Sequence, residues 1–231
     1  MRESIYTIPV NEVFVPENGC PICRMRDMLE ERCLEYIMGA AMMEPDVRIE
    51  TNRLGFCTDH YFAMLKRRNR LSIGLMLESH LEEVEKNILK GDFTALFDKQ
   101  SRAKKAKALG ESCYVCSKID WAMERMLSTV FRLYTNEKAF REAFRECDYL
   151  CLPHYELLVS RGANEIPKKS FSDFHKDALK LTTDHLAELR GDVSHFCKMF
   201  DYRNSGEDAD WGNSKDAVER AVEYLTTRRP K

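Results

Sequence analysis

Cys20-Pro21-Ile22-Cys23 and Cys57-Thr58-Asp59-His60 in the first half of the chain, with Cys113-Tyr114-Val115-Cys116 and Cys151-Leu152-Pro153-His154 in the second, decide how the sequence is read. A C-x2-C pair followed by a C-x2-H pair occurs twice. Residues 24–56 separate the two pairs in the first half and residues 117–150 in the second, gaps of 33 and 34. Matched order and spacing of this kind are the signature of an internal repeat. The surroundings match as well: Phe56 and Leu150 precede the second pairs, and Tyr61 and Tyr155 follow the histidines. Further on, Ser79-His80-Leu81 matches Asp184-His185-Leu186, but at an offset of 105 instead of 93 or 94. The second half therefore carries an insertion of about eleven residues, placed most simply around Arg161 to Lys169.

Each half offers three thiols and one imidazole, the ligand set that Zn²⁺ takes in a tetrahedron. The chain has nine cysteines, an odd number that does not suit a closed disulfide framework. Both pairs in each half stand where a helix is expected to begin. First-turn N–H groups there lack intrahelical partners and carry partial positive charge, which favours thiolates and an anionic Cys3His zinc site. The expected cofactor is zinc, two ions, with an iron–sulfur cluster as the alternative for a thiolate-rich site. The expected grouping is Cys20, Cys23, Cys57 and His60 at one site and Cys113, Cys116, Cys151 and His154 at the other. Spacing alone leaves the exchanged grouping open. His80 and His185 fall on apolar stripes and read as core residues, as donors to the metal-bound thiolates, or as replacement ligands. Cys33, Cys147 and Cys197 have no matched partner and read as small buried residues.

Helical periodicity runs through nearly the whole chain. Met25, Leu29, Cys33, Tyr36 and Ile37 mark one helix face, and Ile119, Met123, Met126, Val130 and Tyr134 mark its counterpart. A short helix is expected from Cys57 to Arg68. A longer one follows, with Leu77, Leu81, Val84 and Ile88 on its stripe. Met42 to Gly55, with Pro45 and Gly55, reads as extended. The matching position in the second half reads as a short helix with Phe140, Phe144 and Cys147. Cys151 to Ser160 is expected to be helical. A long helix capped by Ser170 or Ser172 carries Phe174, Ala178, His185, Leu189, Val193, Phe196 and Phe200. A last helix from Ser214 carries Ala217, Val218, Ala221, Val222 and Leu225. Thr7 to Phe14 is the best strand candidate. Asp92 to Glu111 reads as a connector with Lys99, Arg102, Lys104, Lys105 and Lys107.

The resulting fold class is all-α: two pseudo-repeated helical modules, each stapled by a Cys3His metal site, plus a C-terminal helix. The expected divisions are 1–95 and 112–203 for the modules, 96–111 for the basic connector, and 204–231 for the C-terminal linker and helix. The 231 residues carry 36 Lys plus Arg against 38 Asp plus Glu. That balance argues against bulk-charge binding to nucleic acid or anionic membrane. No apolar run is long enough to span a bilayer. The first nine residues, with Glu3 and Pro9, do not form a secretory signal, so the chain reads as cytoplasmic.

Several segments in combination resemble an uncharacterised bacterial and archaeal domain family of unknown function. They are Cys20-Pro21-Ile22-Cys23, Met43-Glu44-Pro45-Asp46-Val47-Arg48, Gly55-Phe56-Cys57-x-x-His60, Leu150-Cys151-Leu152-Pro153-His154, and the tail Phe200-Asp201-Tyr202-Arg203…Trp211-Gly212…Lys215-Asp216-Ala217. The resemblance covers roughly Ile5 to Leu225 and implies no activity and no catalytic residues. Some members of that family carry transporter substrate-binding names, which the helical pattern here does not support.

The function expected from the ligand sets is a non-catalytic protein with two structural zinc ions that binds a protein partner or itself. A metal-dependent or thiol-redox enzyme using one of the Cys/His sites is the first alternative, and a zinc protein that binds nucleic acid is the second. Thioredoxin-like use of C-x2-C would need a βαβ context, which the periodicity does not show.

Overall fold

The computed structural model describes residues 5–16, 19–90, 100–201 and 210–227, and among them there is no strand. Helices run in the order α1 (Thr7–Val13), α2 (Pro21–Met38), α3 (Pro45–Leu54), α4 (Thr58–Lys66), α5 (Arg70–Val84), α6 (Ser101–Gly110), α7 (Tyr114–Asn136), α8 (Lys138–Arg145), α9 (Leu152–Glu165), α10 (Lys168–Met199) and α11 (Ala217–Thr226). A 3-10 turn (Ala40–Met43) precedes α3, and a π-helical segment (Glu85–Lys90) extends α5. The fold class is therefore all-α, as the periodicity indicates. Among the described residues, no helix is long and apolar enough to cross a membrane.

Several local expectations are corrected. Thr7–Val13 is helical and Phe14 is its C-cap, because the positions buried along the helix, Val10 and Val13, are three residues apart. Met42 to Gly55 is not extended. Pro45 sits at the start of α3, where its missing N–H costs nothing, and Gly55 ends the same helix. Both residues punctuate a helix instead of preventing one. Within the expected connector, residues 101–110 form α6; Lys99 lies outside the described residues. On α5 the buried positions are Ser72, Ile73, Met76 and His80, while Leu81 is exposed. The inward face is thus rotated from the leucine stripe that the sequence suggests. Pro167, not Ser170 or Ser172, precedes α10. On α11, Ala217 and Tyr224 are buried, but Val218, Val222 and Leu225 are exposed. Cys147 is buried, Cys33 half-buried and Cys197 exposed.

The helices divide into two compact units, Asp27–Met123 and Met1–Arg26 with Glu124–Lys231. The division falls inside α2 and inside α7. The first unit is built on α3, α4, α5 and the adjoining parts of α2 and α7. Its core contains Leu34, Ile37, Met38, Val47, Phe56, Met64, Ile73, Met76, Val115 and Ile119. In the second unit α10 packs on α8 and α9, and α11 lies against α9 and α10. An aromatic cluster fills its centre. Phe174 meets Phe131, Tyr134 and Phe144 at 5.0–5.7 Å between ring centroids, and Phe14 meets Phe140 and Phe144.

Gly55 positions one ligand-bearing stretch against another. Its φ of 58° and ψ of −157° belong to a region that only glycine enters readily. Its carbonyl accepts a hydrogen bond from the Tyr114 N–H at 2.9 Å. The Ser112 hydroxyl donates to the Leu54 carbonyl at 2.7 Å. A Cβ at Gly55 would lie 3.0 Å from His80 Nε2. Gly55→Ala is expected to lower the unfolding free energy by about 1–3 kcal/mol. Gly74, on α5 with open space around it, is the control. Gly74→Ala should raise stability by about 0.5–1 kcal/mol. Urea unfolding of the two variants checks both signs.

Candidate metal centres

All four Cys/His pairs stand at helix starts. Cys20 and Cys113 immediately precede α2 and α7. Cys57 and Cys151 occupy the N-cap positions of α4 and α9 in extended conformation. The second member of each pair, Cys23, His60, Cys116 or His154, lies in the first turn. A residue at the N-cap and another three positions later face the same point in space, so each helix start presents two ligands together. Pro21 and Pro153 occupy first-turn positions, where no intrahelical donor is lost.

The structure brings all eight sequence-identified residues into two groups, but exchanges the pairs. One group is Cys20, Cys23, Cys151 and His154; the other is Cys57, His60, Cys113 and Cys116. The expected combinations, Cys20/Cys23 with Cys57/His60 and Cys113/Cys116 with Cys151/His154, do not form. Local connections explain the exchange. The bonds from Ser112 and Tyr114 to residues 54 and 55 join the segment ahead of Cys57 to the segment around Cys113. At the other group, the Gly19 N–H donates to Asp148 Oδ2 at 2.8 Å, joining the segments ahead of Cys20 and Cys151. Arg24 secures the approach to Cys20 through the carbonyls of Val13, Val15 and Gly19.

The ligand atoms fit a tetrahedral ion. With Zn–S near ~2.3 Å and Zn–N near ~2.0 Å, a tetrahedron has S···S edges of about 3.8 Å and S···N edges of about 3.5 Å. Cys23 and Cys151 Sγ are 3.8 Å apart, and Cys57 and Cys116 Sγ are 3.9 Å apart. His154 Nδ1 lies 3.5, 3.3 and 3.1 Å from the sulfurs of Cys20, Cys23 and Cys151. His60 Nδ1 lies 3.0, 3.3 and 3.5 Å from those of Cys57, Cys113 and Cys116. All nine cysteines are free, so no disulfide competes for these sulfurs.

Electrostatics sharpen the fit. Burial acts to raise the Cys20 thiol, but hydrogen bonds from Cys151, Cys23 and His154 hold it well below its ordinary range. Cys151, facing Cys20, is pushed up to about 12. Cys23 is pushed up by Cys151 and Cys20, then by burial. In the other group, burial also opposes ionisation of Cys113, yet His60 and backbone N–H groups bring it down to about 6. Burial and Cys113 push Cys116 up. Crowded thiols therefore resist losing a second proton while no cation is there to share the charge. A divalent ion between them removes that resistance.

Glu30, on α2, was not identified from sequence. Its carboxylate lies 3.4 Å from His60 Nε2, on the far side of the ring from the sulfurs. A carboxylate there fixes the ring's orientation and tautomer and leaves Nδ1 to face the ion. Burial tends to lower the His60 pKa, but Cys113 and Glu30 carry it up to about 10. Glu30 is seven residues after Cys23, a ligand of the other group, so no spacing rule connects it with His60.

His80 and His185 join neither group. His80 Nδ1 donates to the Asn52 carbonyl at 2.8 Å, and the ring packs against Gly55. His185 stacks on Tyr149 with ring centroids 3.7 Å apart. Each histidine meets a residue just ahead of a C-x2-H pair, His80 at the Asn52 backbone and His185 at the Tyr149 ring. Their recurrence in the sequence matches this position and not a place among the ligands.

The whole chain, residues 1–231, matches the family of unknown function DUF6062, and the protein belongs to that family. Comparison with curated proteins and with solved structures finds no match.

Glu30→Gln is expected to weaken metal binding at the Cys57 group by roughly 10–100-fold and leave the Cys20 group unchanged. Competition with a chromogenic chelator reads both affinities. Zn²⁺ added to metal-free protein near neutral pH should release at least about two protons per group, since Cys23, Cys151, Cys116 and His60 all hold protons there. Affinity should accordingly rise with pH and fall on acidification. Titration in weakly buffered solution, repeated across pH, measures both effects.

Proposed function

We propose that each group holds one Zn²⁺ as a structural staple and that the protein acts by binding a protein partner or itself, not by catalysis. The observation that carries this reading is the closure of each group by four protein ligands whose atoms all lie within 4.8 Å of one another. A catalytic zinc site keeps a position for water or substrate, whereas a structural one fills all four with protein. A histidine in each set favours zinc over an iron–sulfur cluster, which is commonly held by four cysteines. Thiol-redox chemistry has weaker support, because it would leave the paired histidines without a role.

The staples have a mechanical purpose in this reading. Cys20/Cys23 and Cys151/His154 are separated by more than 120 residues of chain, and Cys57/His60 and Cys113/Cys116 by more than 50. Bringing such distant helix starts together costs loop-closure entropy. A structural zinc ion contributes on the order of 10 kcal/mol, enough to offset it. Nucleic-acid binding has less support. The basic residues of α6 stand on a short exposed helix, with Lys107 in an ion pair with Glu111 and Lys105 bonded to the Asn87 carbonyl.

Protein purified under reducing conditions without added metal should contain two equivalents of zinc by elemental analysis. Cys23→Ser and Cys116→Ser should each retain about one. Protein without stoichiometric metal, or with iron in its place, contradicts the zinc assignment. Removing the metal with a strong chelator should lower the midpoint of thermal unfolding, and restoring Zn²⁺ should recover it.

A further inference from the structure

Beside the Cys57 group, within the unit Asp27–Met123, α2, α3 and the first turns of α7 enclose a cleft of about 900 Å³. This volume lies within the range of roughly 300–1,000 Å³ that small-molecule pockets span. Leu29, Cys33 and Ile119 give it an apolar floor. Tyr36, Tyr114 and Trp121 stand around it, and two of these large rings, Tyr36 and Trp121, are each 52% exposed. The charged lining residues are three carboxylates, Glu44, Asp46 and Glu50, against two cations, Arg32 and Lys118. The cleft therefore combines aromatic faces with a surplus of negative charge.

One ammonium group already shows how a cation fits there. Lys118 Nζ lies 2.7 Å from Glu50 Oε2 and 5.0 Å from the centroid of the Tyr114 ring. Carboxylate and ring face together form a cation subsite. Both side chains of the ion pair are more than two-fifths exposed, so the pair is weak and readily exchanged. We propose that the cleft binds a small organic ammonium compound. Its cationic end takes the place of Lys118 between Glu50 and Tyr114, and its hydrocarbon part lies on the apolar floor. Charge complementarity selects an amine over a carboxylate, and the cleft volume suits a small molecule. The site is separate from the proposed metal ligands, and its test is read apart from metal content.

The metal-loaded protein is titrated with phenethylamine and with 3-phenylpropionate while tryptophan fluorescence is followed; Trp121→Phe identifies the signal from the cleft. The amine should bind more tightly than the carboxylate, by roughly three- to tenfold, because the lining carries three carboxylates against two cations and the displaced Lys118 ammonium is taken up by water. Glu50→Gln should weaken amine binding roughly two- to fivefold. Lys118→Met, which removes the internal competitor, should strengthen it several-fold. A merely structural role for Lys118 gives no such gain. Equal binding of amine and carboxylate overturns the proposal. So does the absence of amine binding up to about 10 mM, including the case in which only a lysine-rich peptide binds, or a Lys118→Met variant with no gain in affinity. Zinc content, measured on the same samples, shows whether each variant keeps its metal sites.

Discussion

Convergence of helix starts is the constraint on which the rest of this structure depends. At each of two points, two helices begin together and present four soft ligands from their N-cap and first-turn positions. The partial positive charge of a helix start favours thiolate, and the missing first-turn acceptors leave N–H groups free to donate to sulfur. The Cys116 N–H approaches Cys113 Sγ at 3.5 Å in this way. Hydrogen bonds immediately beside the ligands then fix which pairs meet. Gly55 with Tyr114 and Leu54 with Ser112 serve one group, and Gly19 with Asp148 serves the other.

The two groups share a ligand set but not an environment. Cys20, Cys23 and Cys151 are buried, and Tyr149, stacked on His185, lies close enough for its hydroxyl to be pushed up by their charge after burial and Glu223. Cys57 and Cys116 are only half-buried, and Glu30 reaches His60 from α2. The first centre is thus enclosed by apolar and aromatic side chains, while the second meets solvent and carries a carboxylate behind its histidine.

Much of this was legible in the sequence, and the reasons for the rest are physical. The ligand residues could be read because thiolate and imidazole at helical spacing have few other uses. The all-α class could be read because apolar periodicity is a local property, strong in α7 and α10. Pairing could not be read, because it depends on contacts between segments far apart in the chain, such as Ser112 with Leu54. Pro45 and Gly55 look like helix breakers in isolation, yet they bound α3, since the same two residues start and stop helices. The inward face of α5 departs from its most hydrophobic stripe: Leu77 and Leu81 stand out by hydrophobicity, whereas the core takes Ile73, Met76 and the hydrogen-bonded His80. Glu30 left no signal, because a carboxylate on a helix surface is ordinary until its partner is known.

The central claim is that metal ligands are shared between the two halves of the chain in the exchanged order. Zinc content of two double variants tests it most directly. Cys23→Ser with Cys151→Ser removes two ligands from one group and should leave about one equivalent of zinc. Cys23→Ser with Cys57→Ser damages both groups and should leave almost none. The opposite result, one equivalent in the second variant and none in the first, would mean that each half closes its own site and would contradict the account.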